Sequence, residues 1–278
     1  MKRKFLTLAF ILCTMVIVLF VSSCGGTEGL EYVDINDKEV GVKCGDAIKL
    51  SEIVIPSKHD GKKVTTILSS GFSKCENLVS ITIPKSVVSV EKGAFYGCKN
   101  LENVYYKGKI KNWCNIDFNH STSTPMCEAE HLFINGSEII DLKVKDVSEI
   151  KKYAFFGCEN IVSFSSDKDL KSIGENAFAG CENLETVNLP SSLEKLGKLC
   201  FSTCISLHNV TIPESVNQID LLAFYESRLH NVTFENTTRW FFTTKESATK
   251  GDKVDVTNPA TNASYLRKQN TGYWKRAV

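Results

Sequence analysis

The chain has 278 residues, 42% hydrophobic, 23% charged and 10% aromatic, a globular composition that excludes a disordered or collagen-like chain. Thirty-three basic residues against 32 acidic ones leave a net charge of +1, which removes the electrostatic basis for a nucleic-acid partner. Eleven cysteines are too few in a chain this long for a small disulfide scaffold, and six prolines are too few for a Pro-rich stalk.

Residues 1–23 are expected to be a secretion signal rather than part of the fold. Lys2, Arg3 and Lys4 precede an apolar run from Phe5 to Val21, broken only by Thr7 and Thr14, and small residues come next. The end of this stretch, Val21-Ser22-Ser23-Cys24-Gly25, resembles the lipobox of bacterial lipoproteins. That resemblance implies that the Cys24 sulfur is acylated, becomes the new N-terminus and makes the membrane a partner. Loss of the three basic residues takes the net charge from +1 to −2, so no polybasic patch adds to a lipid anchor. Residues 24–49 are expected to form a tether and N-terminal cap.

A period of 23 residues organises the remainder of the chain. Phe72 and Phe95 are one step apart, as are Phe155, Phe178, Phe201 and Phe224. Cys75 and Cys98 keep the step, as do Cys158, Cys181 and Cys204, and Pro190 and Pro213. Within a unit, Leu207-x-x-Val210-x-Ile212 has the alternation and β-branching of a short strand. Pro213 stops it, having no N–H for the ladder. Val216 and Ile219 make a second apolar beat, and Ala223-Phe224 begins a helical turn that brings the chain round. A single unit buries too little to offset the backbone entropy of 23 ordered residues, so units are expected to fold only when stacked.

The first unit has a polar, Gly61-containing bulge between Pro56 and Val64, and the last has Ser227 at the cysteine place. The repeat region is expected over 50–234, with an insertion at about 106–140, and a C-terminal cap over 235–278. Trp240, Phe241, Phe242, Tyr265, Tyr273 and Trp274 are expected to seal the open end of the core.

The strand ends Ile83-Pro84, Leu189-Pro190 and Ile212-Pro213, with Ala-Phe-x-Gly-Cys at 94–98, 154–158 and 177–181, resemble the BspA-like leucine-rich repeats of bacterial surface proteins. The segment from Tyr106 through Trp113 to Gly136 and the run from Asn262 to Arg276 resemble an insertion and a terminal segment of that family. The resemblance implies a mainly β leucine-rich-repeat solenoid, a right-handed coil of short parallel strands with short helical or 3-10 turns. It implies display outside the cell for adhesion or protein binding, without a defined ligand.

No motif of a nucleophile elbow, a zincin, a dinucleotide site or a phosphate loop is present, so no catalytic residue is assigned. Neither a Cys-x-x-Cys pair nor a His-x₃-His run occurs, and no metal or cofactor is expected. The cysteine column is expected to serve as small buried packing, although disulfides between neighbouring coils are open to an exported chain. His208 and His230 fall at matching places on adjacent strands without a third ligand. Six Asn-x-Ser/Thr sequons, at Asn119, Asn135, Asn209, Asn231, Asn236 and Asn262, are expected to be incidental.

Outward strand positions form two uncharged columns, from Ser80 to Asn231 and from Thr82 to Thr233. They read either as a solvated face with its own hydrogen-bond ladder or as a surface for a protein or glycan ligand. The candidate binding surface is Asn103, Tyr105, Trp113, Thr186, Asn188, Asn209 and Thr211. The expected role is non-enzymatic binding or adhesion at the cell surface. A structural or assembly subunit of the envelope is the alternative, and a carbohydrate-active or metal-using enzyme the third.

Overall fold

Each 23-residue unit lays down one turn of a coil, and the turns join through three backbone ladders. The computed structural model describes residues 25–268 and 271–277; Cys24 and the expected secretion signal lie outside the described residues. The first ladder is the strand predicted from the Leu-x-x-Val-x-Ile pattern. Ser80–Ile83 pairs in parallel with Glu52–Val54 on one side and Asn103–Tyr106 on the other, so Ile53, Ile81 and Val104 share one inward row. His131–Ile134 continues this stack. A second stack runs through Asp141–Val144, Ser163–Ser166 and Thr186–Asn188, and beyond it Asn209–Ile212 pairs with Asn231–Phe234. Among the described residues these make a solenoid of about nine turns.

Proline ends the strand and opens a turn. The carbonyls of Pro84, Pro190 and Pro213 accept the N–H groups of Val87, Leu193 and Val216 at 3.0–3.1 Å. The chain then enters the second ladder, the two-residue strands Ser172–Ile173, Lys195–Leu196 and Gln218–Ile219, stacked in parallel on Glu149–Ile150.

The return segment forms the third ladder. Its local bonds have i→i−3 spacing, as from Cys98 N–H to the Phe95 carbonyl. Alternate N–H groups reach the neighbouring coil: those of Phe72, Phe155, Phe178 and Phe201 donate to the carbonyls of Ala94, Ala177, Cys200 and Ala223 at 2.8–2.9 Å. This path needs two left-handed residues per unit, four apart, at 70/74, 93/97, 153/157, 176/180, 199/203 and 222/226. Gly157 meets the need with φ +73°, and its Cα is so close to the Met126 carbonyl that a Cβ would stand 2.5 Å from that oxygen.

The phenylalanine column is the centre of the core. Phe155, Phe178, Phe201 and Phe224 are fully buried and stack face to face, with centroids 5.2–5.6 Å apart and planes within 15° of parallel. Phe72 and Phe95 repeat the arrangement at 5.6 Å. One apolar core runs the length of the coil.

The ends differ from the repeats. At the N-terminal end Glu31–Asn36 and Glu39–Lys43 form an antiparallel hairpin, whose second strand joins Lys62–Ile67 in parallel. The Gly61 bulge is a tight turn between Lys58–His59 and Lys62, with Asp60 and Gly61 both at positive φ. At the other end Tyr273–Arg276 adds antiparallel to Gln218–Ile219, Trp240–Thr243 pairs with its other edge, and the helix Pro259–Lys268 covers Asn231–Phe234. Trp240, Phe241 and Trp274 are buried there, as expected of a seal. Tyr265 is 48% exposed, but its ring packs against Trp274 at 5.4 Å, so it covers the seal rather than entering it, while Ala263 and Leu266 of the same helix are buried.

Candidate binding face

The outward side chains of the parallel strands form the face. Period-2 alternation puts Val187, Val210, Ile212 and Val232 in the core, so Thr186, Asn188, Asn209, Thr211, Asn231 and Thr233 point away from it and are exposed. Register brings them into rows: Asn209 is opposite Asn231, and Thr211 opposite Thr233. Ser163 stands opposite Thr186, and Ser165 opposite Asn188. These residues line an open groove together with Glu185, Glu235 and Pro259.

The face is only partly self-satisfied. The Asn231 amide donates to the Asn209 side-chain oxygen at 3.0 Å, and the Ser163 hydroxyl to Asp141 at 2.6 Å. No side-chain hydrogen bond among the described residues engages Thr186, Asn188 or Thr211. Four expected face residues therefore present polar groups to solvent, with Asn209 already sharing its oxygen.

Toward the N-terminal stack the face changes character. Asn103 and Tyr105 are half-buried. The Tyr105 ring stacks on Phe133 of the next strand at 4.9 Å, and His131, beside Phe133, pairs with Glu138 at 2.6 Å. Trp113 is removed from the surface altogether. It is fully buried between Tyr106 and Phe118, at centroid distances of 5.2 and 5.4 Å. The reason is local: Ile110–Trp113 is a single helical turn that folds inward beneath the strand face, and an indole inside finds a carbonyl for its N–H.

The cysteine column faces the core. The thiols of Cys98, Cys181 and Cys204 donate to the carbonyls of Phe72, Phe155 and Phe178, each 26 residues back, at 2.9–3.2 Å. Burial raises the pKa of Cys114 and Cys127 to about 12 and pushes Cys158, Cys181 and Cys204 higher still. The two histidines do come together, His208 and His230 meeting edge to face at 4.9 Å, while the His208 Nδ1 is engaged with the Ser206 carbonyl. Three carboxylates, of Asp146, Asp167 and Asp169, gather elsewhere at the surface. Of the sequons, Asn262 is closed to modification, because it is 1% exposed and its amide donates to the Val232 and Val256 carbonyls.

A second asparagine column escaped the sequence reading. Asn77, Asn100, Asn160 and Asn183 each stand two residues after a column cysteine and donate to a carbonyl of the preceding coil at 2.6–3.4 Å. Its signal was the constant offset from the cysteine, which is as regular as the phenylalanine step.

A structure of a leucine rich cell surface protein from Faecalibacterium prausnitzii A2-165 superposes with a TM-score of 0.56 at 22% identity, over 84% of this chain and 60% of that one. A leucine-rich repeat protein from Eubacterium ventriosum ATCC 27560 matches at 23% identity and a TM-score of 0.42, over 67% of this chain and 48% of the other. The chain thus spans about half to three-fifths of the length of these two proteins. No curated protein sequence matches it. The family described as BspA type Leucine rich repeat region matches residues 38–131 and 129–244 in six copies, and with its proline-ended strands, phenylalanine stack and coil-to-coil ladders the chain belongs to that family.

Proposed function

We propose that this chain is a non-enzymatic binding protein of the bacterial cell surface, held to the membrane by lipid on Cys24 and contacting protein or glycan partners through its strand face. The observation that carries the reading is the open groove lined by in-register polar side chains, Thr186, Asn188, Asn209 and Thr211 among them, of which only Asn209 is bonded to another member of the rows. Beside the Glu185 and Glu235 carboxylates that share the groove, these amides and hydroxyls offer both donors and acceptors, which suits sugar hydroxyls or peptide backbone. The surface location draws support from the likeness to the Faecalibacterium cell surface protein and from the lipobox-like stretch before Cys24. Among the described residues no helix is long and apolar enough to cross a membrane, and the reading assigns attachment to the N-terminal segment.

Two experiments test the reading. Whole cells or matrix protein and a glycan array are probed with the full chain and with Asn188→Arg and Thr211→Arg variants. Binding that both variants lose supports the face, and binding that survives in both refutes it. Cys24→Ala is expected to release the protein from membranes or leave it unprocessed; radiolabelled palmitate entering that variant would refute the anchor.

A further inference from the structure

The cysteine column has an anomalous first member. In the repeats the thiols of Cys98, Cys181 and Cys204 donate to a phenylalanine carbonyl of the preceding coil. Cys75 belongs to the first unit that carries the phenylalanine, Phe72, so no phenylalanine coil precedes it. Where a carbonyl would stand, the N-terminal cap supplies a second cysteine: Sγ of Cys75 lies 3.1 Å from Sγ of Cys44. Both residues are buried, and both backbones are held. The Cys44 N–H donates to the Gly71 carbonyl at 2.7 Å, and the Cys75 N–H to the Phe72 carbonyl at 3.2 Å. A disulfide needs about 2.05 Å between sulfurs, so closure asks for a side-chain movement of about 1 Å.

We infer that Cys44 and Cys75 are an oxidisable pair whose disulfide staples the N-terminal cap to the first coil of the solenoid. The inference rests on the proposed export for its oxidant, since an extracytoplasmic compartment supplies disulfides and the cytosol does not. The reaction is thiol–disulfide exchange with a small-molecule or protein disulfide, RSSR. The Cys44 sulfur attacks RSSR, forming a mixed disulfide and releasing one RSH. Cys75 then attacks the Cys44 sulfur and expels the second RSH. Two protein thiols lose two electrons and two protons, and RSSR takes up both. In the closed pair Cys44 accepts the Cys75 S–H, which lowers its pKa, while the same bond raises that of Cys75; the step balances equally with the two sulfurs exchanged. Because the pair is enclosed, exchange runs while the cap is still open, and the finished bond lies out of reach of reductant in the folded protein.

Cys98 is the competing partner. Its thiol donates to the Phe72 carbonyl at 2.9 Å and also interacts with the Cys75 thiol, so geometry alone does not remove it. The test separates the two. The full chain in detergent is refolded in a glutathione redox buffer, free thiols are alkylated, and tryptic peptides are mapped without reduction. The expected product joins peptide 44–49 to peptide 75–85. It disappears in Cys44→Ala, in which Cys75 becomes alkylated, and it persists in Cys98→Ala. Reduction under unfolding conditions lowers the melting temperature of the refolded wild type and leaves that of Cys44→Ala unchanged. A wild-type chain whose Cys44 and Cys75 both alkylate, or one linked through Cys98, overturns the inference. The purified chain tests the pair alone. Absence of the same link from protein recovered from cells, after its formation in vitro, counts against export and not against the pair.

Discussion

The indole N–H of Trp113 donates to the carbonyl of Ala154 at 2.6 Å. In every other coil pair with a phenylalanine column, the matching carbonyl, of Ala94, Ala177, Cys200 or Ala223, takes the backbone N–H of the preceding phenylalanine. Residues 106–140 contain no such phenylalanine return, and the tryptophan side chain replaces the missing donor. The same junction is held by Lys151 N–H on the Cys114 carbonyl and by the Lys151–Asp117 ion pair at 2.7 Å. Trp113 is thus the splice between two stacks of strands. Trp113→Ala is expected to cost about 3–5 kcal/mol, as for other buried aromatics. Trp113→Phe should recover part of this but leave the Ala154 carbonyl unpaired, at about 1–3 kcal/mol. Denaturant unfolding that splits into two transitions in Trp113→Ala would show that the stacks have been uncoupled; a single transition at the wild-type midpoint would refute the role.

Phe178 is stacked on both sides, at 5.3 Å from Phe155 and 5.2 Å from Phe201. Phe178→Ala should cost about 3–5 kcal/mol, and exposed Thr186→Ala no more than about 0.5 kcal/mol. Coils touch only their neighbours, so hydrogen exchange should rise first in the flanking coils and last at the N-terminal cap. Equal effects of the two substitutions would place the repeat frame out of register.

The left-handed positions give a paired test of opposite sign. Gly157→Ala places a Cβ 2.5 Å from the Met126 carbonyl oxygen at φ +73° and should destabilise by roughly 2 kcal/mol or more. Exposed Lys74 holds the same place in the first repeat at φ +58°. There Lys74→Gly relieves about 1–2 kcal/mol of strain against about 0.5–1 kcal/mol of added chain entropy, for a net gain of about 0.5 kcal/mol. Thermal melts of the two variants read the signs.

The column thiols predict an alkaline limb of stability. Burial raises the Cys181 pKa well above its ordinary 9.0, so the folded state keeps a proton that the unfolded chain gives up. That contribution is complete below pH 9 and is lost as the pH climbs toward the folded value. Cys181→Ala is expected to cost about 1–2 kcal/mol at pH 7 and to flatten the fall of melting temperature above pH 9. Chelators should leave the wild-type melt unchanged; a loss of several degrees would reveal a bound metal.

Periodicity made the core legible. A phenylalanine recurring at 23-residue steps and a proline after several of the strands specify which side chains face in, and Phe178 and Thr186 lie where that frame puts them. The face comes from the same frame by alternation. Trp113 did not, because a lone aromatic in an irregular stretch carries no phase, and amphipathic rings serve anchors and cores alike. The second left-handed residue of each return was also silent. Gly97, Gly157 and Gly180 advertise it, but Lys74, Thr203 and Glu226 adopt the same conformation under constraint from the neighbouring coil. Cys44 lies out of frame, so only three-dimensional proximity pairs it with Cys75.

Return-segment bonds link residues 22 apart, from Phe72 to Ala94 as from Phe201 to Ala223. Wiring of this constancy has no memory of position. A genetic duplication or loss of one complete unit leaves every bond with an equivalent partner, and each added turn lengthens the rod by one strand spacing, about 4.8 Å. Copy number is then a ruler: two alleles differing by whole units would hold the same strand face at different distances from the N-terminal cap, and selection could adjust length while reusing the same coil-to-coil contacts.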